Sequence, residues 1–115
     1  MGTIVHHAII VTSWKKEALD ELVKVAKSEL SASVLGPSEE VINGYRTVVI
    51  CPDGSKEGWG DSNIGDKRRE QIKDWLNAQR HDDGSSWVEW VEVQYGNDLD
   101  YYAEAAVIDD QWRNR

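Results

Sequence analysis

The run Thr3-Ile4-Val5-His6-His7-Ala8-Ile9-Ile10-Val11-Thr12 constrains this chain more than any other segment. It is β-branched and apolar at both alternating sets of positions, the pattern of a strand covered on both faces, and so predicts a central strand. Ser13 is placed to N-cap the next segment, where Leu19, Leu22, Val23, Ala26 and Leu30 recur at helical spacing with Lys and Glu opposite them. Gly36-Pro37 and Asn43-Gly44 punctuate a connection in which Glu39 to Ile42 reads as a short edge strand. Tyr45 to Cys51 is a second strand, stopped by Pro52, which has no N–H to give to a sheet. Four glycines between Pro52 and Asp66 argue against regular structure there, and Ile72, Trp75, Leu76 and Gln79 then mark a second helix, with Asp61, Ser62 or Asn63 as its cap. Trp87 to Tyr95 alternates as a third strand, Gly96-Asn97-Asp98 turns the chain, and Tyr101 to Ile108 returns as a fourth.

The order β-α-β-α-β-β predicts an α+β fold: a mixed sheet of about four strands with two helices packed on one face. At 115 residues the chain fits a single domain, 1–115, with residues 109–115 polar enough to fray. Trp14, Trp75 and Trp90 fall in periodic segments and read as core. Trp59 and Trp87 do not.

These two tryptophans close a pair of similar loops, Pro52-Asp53-Gly54-Ser55-Lys56-Glu57-Gly58-Trp59 and Asp82-Asp83-Gly84-Ser85-Ser86-Trp87. Each sets Asp-Gly-Ser shortly before a ring with one N–H handle. Serine hydroxyls and peptide N–H groups are ligand donors, and a tryptophan face stacks on any planar group. The same residues also make ordinary turns, with the ring sealing its own loop. Since each loop adjoins a strand end, the pair could meet on one rim of the sheet or on one face of a dimer, and the sequence leaves open whether they do.

Charge and motif narrow the chemistry. Acidic residues outnumber basic ones 21 to 13, a net charge of −8, which opposes the phosphate neutralisation that nucleic-acid polymers require. The same charge suits a basic protein surface. No stretch approaches the ~20 apolar residues that cross a bilayer, the N-terminus lacks the basic start of a signal peptide, and the lone Cys51 fits a reducing compartment; a cytoplasmic protein is expected. Gly54 to Gly65 resembles a loop-to-helix anion site but lacks the Gly-Lys-Ser/Thr phosphate-loop pattern. Asp61-Ser62-Asn63-Ile64-Gly65 opens like a calcium loop, yet Asp66 stands where glycine is needed and Ile72 where the bidentate glutamate belongs. His6 and His7 point to opposite faces of a strand and cannot share a metal, and His81-Asp82-Asp83 has no recognised ligand spacing. Neither a metal nor a cofactor is expected. A histidine could serve Ser55, Ser85 or Ser86 as general base, but the nucleophile-elbow and His-x-Thr/Ser signatures are both missing.

Together, His6-His7-Ala8-Ile9-Ile10-Val11-Thr12-Ser13-Trp14, Pro52 to Trp59, Asp83-Gly84-Ser85-Ser86-Trp87 and Trp90-Val91-Glu92-Val93-Gln94-Tyr95-Gly96 resemble a family of small uncharacterised proteins encoded by tailed bacteriophages, over about residues 4 to 96. The resemblance implies a setting rather than an activity: short acidic phage proteins often block bacterial immunity, some by sequestering nucleotide-like immune signals and others by binding a defence protein. The expectation is a counter-defence protein, a homo-oligomer, that holds a small nucleotide-like ligand without turning it over. Trp59 and Trp87 would stack, Ser55, Ser85 and Ser86 would hydrogen-bond, Lys56 or Arg69 would meet phosphate, and His7 or Tyr45 would line the floor. The alternatives are an acidic inhibitor of a host defence protein and a small hydrolase using histidine and serine.

Overall fold

A computed structural model describes residues 4–55, 58–96 and 105–113. The apolar run forms β1, His6–Ser13, at the centre of a five-stranded sheet. Strands β2 (Val34–Leu35), β3 (Arg46–Ile50), β4 (Glu89–Tyr95) and β5 (Ala106–Asp110) complete it in the order β2-β3-β1-β4-β5. The α+β class is as the sequence predicts, while each of the pairings is antiparallel rather than mixed. The edge strand on this side is Val34–Leu35; in the segment the sequence assigns to it, residues 39–41 carry no strand and Ile42 opens a 3₁₀ turn, Ile42–Gly44. The predicted return strand from Tyr101 begins outside the described residues, and its described part runs two residues further, to Asp110.

Helix α1, Lys16–Val23, continues through a π-helical turn, Lys24–Glu29, and α2 spans Gly60–Asn77. Ser13 sits too early to cap α1. Its hydroxyl donates to the Trp87 carbonyl at 2.5 Å and accepts the Lys15 N–H at 3.0 Å, tying the strand end to the segment before β4. Helix α2 starts earlier than the glycine count predicts, with Trp59 at the N-cap and no side-chain cap. Both helices pack on one face of the sheet. Leu19, Leu22, Ala26, Ile72 and Leu76 meet Ile9, Val11, Val48, Ile50 and Trp90, all buried. Within the described residues no helix is long and apolar enough to cross a membrane.

The other face is where the central-strand reading needs correction. Ile10 is 37% exposed, because no layer covers that side among the described residues. Leu35, Val49, Ile10 and Val91 stand in register across four strands of this open face. Of these, Ile10 and Val91, with Val107 and Trp112, border a cleft of about 460 Å³. Trp14 is likewise not core: it is exposed, whereas Trp90 is buried and Trp75 packs against the cluster.

Candidate functional site

The two Asp-Gly-Ser loops build the same turn. In the first, Asp53 Oδ1 accepts the Ser55 N–H at 2.9 Å and its hydroxyl at 2.6 Å; in the second, Asp83 Oδ1 accepts the Ser85 N–H at 2.8 Å and its hydroxyl at 2.6 Å. Such side-chain-to-backbone bonds are what Asp and Ser offer in turns. The recurrence is therefore accounted for by local turn chemistry. Burial pushes the Asp53 carboxyl up, but the Ser55 bonds and nearby Arg69 and Arg68 more than reverse this and hold it below the usual carboxylate value. The Ser55 equivalent in the second loop, Ser85, lowers Asp83 in the same way.

Antiparallel pairing puts the two loops on opposite rims. Ile50, the last residue of β3, lies opposite Ile9, so the first loop leaves near the His6–His7 end of β1. Glu89, the first residue of β4, lies opposite Thr12, so the second loop arrives at the Ser13 end. The central strand separates them, and Trp59 and Trp87 do not converge within one chain. Trp87 is occupied by its own surroundings: the Lys15 ammonium sits 3.9 Å from its ring centroid, and the His81 ring meets it edge-on at 4.9 Å. Ser86, beside it, has its hydroxyl oxygen 2.7 Å from the Val88 carbonyl and 3.2 Å from that of Gln79. Tyr45 precedes β3 at this same far rim.

The first rim gathers the rest. Ser55, Gly54 and Asp53 face Asp61, Ile64 and Arg68 of α2 across a cleft of about 410 Å³. A second cleft of about 320 Å³ continues past Ile64 and Arg68 to Leu30, Ser31, Lys67 and Gln71. The two clefts share Ile64 and Arg68 in their lining and together make up the groove beside the helix. Trp59, 58% exposed, stands at the N-cap just before the groove-lining residues. Lys56 lies outside the described residues.

Behind the groove is a buried ionic cluster that the sequence reading missed. Glu92 points from β4 to the helices, between His7 of β1 and the α2 cations. Its carboxylate accepts a bond from Lys73 Nζ at 2.7 Å and lies 3.6 Å from Arg69 Nε and 3.9 Å from His7 Nδ1. Lys73 also reaches Asp109 at 3.0 Å and Glu70 at 2.9 Å. Arg69 meets Asp66 and, at 3.8 Å, Asp53. Of the residues expected to touch ligand, Arg69 and His7 are thus brought together, but Arg69 is buried and shared among three of the protein's own carboxylates. Neighbouring Arg68 is the one that lines the groove. Only the spacing pointed there: Arg69 and Lys73 share the i, i+3, i+4 stripe of Ile72 and Leu76, so two cations occupy the buried face of α2.

No family model, curated protein or solved structure matches the chain.

Proposed function

We propose that this protein captures a small nucleotide-like signal in the groove between the first loop and α2, as a counter-defence protein of phage type, and holds it without chemical change. The observation that carries this reading is Arg68, which lines both clefts along α2 close to the Asp53 turn. A phosphate there would meet Arg68 and, next to it, Lys67. A guanidinium in that position suits phosphate because its donors form a planar fork. Ile64 and Leu30 offer apolar shelf, and the carboxylates of Asp61 and Glu29 suit sugar hydroxyls, as acidic residues do in dinucleotide sites. Two compartments joined at a cation fit a ligand with two lobes and a phosphate between them. Capture rather than cleavage is supported by the serines. Ser55 and Ser85 donate their hydroxyl protons to aspartates of their own turns, whereas a nucleophilic serine hands its proton to a base held for that purpose.

Thermal-shift measurements with AMP, cyclic dinucleotides and ADP-ribose test the reading, with bound material identified by mass spectrometry after heat release. Ligand at 100 Kd is expected to add ~2.7 kcal/mol to stability. Arg68→Glu should abolish that gain with the fold intact, and Trp87→Ala should leave it in place. Recovery of altered ligand would replace capture by hydrolysis. No stabilisation by any probe would leave the second reading, a protein-binding inhibitor, which the open apolar row of Leu35, Val49, Ile10 and Val91 favours.

A further inference from the structure

Glycine in the interior of a helix costs roughly 1 kcal/mol against alanine, yet α2 buries Gly65 in its second turn. What lies over it explains the cost. A Cβ built on Gly65 would fall well inside contact distance of Asp53 Oδ2, 3.4 Å from Asp53 Cγ and 3.3 Å from Arg69 Nη1. The Asp53 carboxylate is therefore divided between two tasks. Its Oδ1 folds the loop by taking both Ser55 donors, while its Oδ2 rests on the bare helix backbone facing Arg69. Arg69 is held from the sheet by Glu92 and along the helix by Asp66. A chain of contacts runs from Ser55 through Asp53 and Arg69 into the sheet at Glu92.

We propose that Gly65 and Asp53 form a latch that seats the first loop on α2 and thereby sets the width of the groove, Gly65 acting as a positioning residue through the space it leaves. Its bearing on ligand capture rests on the function proposed above; the latch itself does not. Gly65→Ala is a suitable probe because alanine favours helix, so α2 is retained while the seat is filled. Backbone amide order parameters of Gly54 and Ser55 are expected near ~0.85 in the parent protein and below ~0.6 in the variant, with Ile9 and Val11 unchanged as an internal standard. ADP-ribose should bind the variant at least ~10-fold more weakly, ~1.4 kcal/mol. Order parameters that stay the same in Gly65→Ala, or that are already low in the parent, overturn the latch. If order is lost on substitution but ADP-ribose never stabilises the parent, the latch stands and the capture reading with this probe falls.

Discussion

Replacing Lys73 with methionine is expected to lower the stability of the fold by about 3–5 kcal/mol, the usual loss when one member of a buried ion pair is removed. Lys73 is only 8% exposed and Glu92 only 3%. Methionine fills much the same space, so packing is nearly conserved and the effect is electrostatic. Glu92 would keep Arg69 at 3.6 Å but lose its closest donor, and Asp109 would lose its bond to the same ammonium. Burial alone would push the Lys73 pKa down; bonds to Glu92, Glu70 and Asp109 outweigh it and raise the value above the usual lysine range. A lysine with a raised folded pKa contributes fully below its unfolded value of about 10.5. Its stabilisation is lost only as pH rises through the still higher folded value. The Lys73→Met deficit should consequently be flat from neutrality to about pH 10. Glu92→Gln in the Lys73→Met background should recover part of it, since the stranded charge is then gone. Urea denaturation of the parent and both variants measures this, and a Lys73→Met deficit below about 1 kcal/mol would reduce the cluster to the standing of a surface pair.

Ile72→Ala should cost about 3 kcal/mol, within the 2–5 kcal/mol range for such truncations in a core. Ile72 is completely buried and lies in the α2 stripe that meets the sheet. Its neighbours Lys73 and Arg69 are fixed by ion pairs, so the helix has little freedom to settle into the space. The midpoint of urea unfolding should fall with the slope unchanged, which would mark a loss of stability rather than a change in the unfolded chain. A midpoint close to that of the parent would mean that α2 is held chiefly by charge.

How much of this was legible beforehand depended on which force was at work. Period and β-branching located β1, β3 and the buried side of α1, because Ile9, Val11, Leu19 and Leu22 are where they are for hydrophobic reasons. In β4 the same logic reached Trp90, but the side facing the helices carries Glu92 as well as Val88 and Trp90. Glu92 is tolerated because Lys73 and Arg69, from a helix some twenty residues earlier, converge on it. Pairing of that kind is invisible to a pattern read along one strand. For the site, Ser55 and the helix junction were legible as loop chemistry, while the partial exposure of Arg68 in place of Arg69 and the bare face of Gly65 were not. Their roles arise from which side of α2 meets the loop, and that follows from packing rather than from local sequence. Separation of the two tryptophans came from strand direction alone.

The doubled turn has one more consequence, for chemical ageing. An aspartate followed by glycine is ordinarily a weak point in a chain, because the glycine amide nitrogen can attack the carboxyl group and rearrange the backbone through a cyclic imide. The protonated carboxyl is the more reactive form. At Asp53-Gly54 and Asp83-Gly84 the serine two residues on holds the carboxylate ionised and draws one oxygen into the turn. The bonds that shape the loops thus also slow the reaction to which their sequence would expose them, and unfolding would start the clock at both sites together.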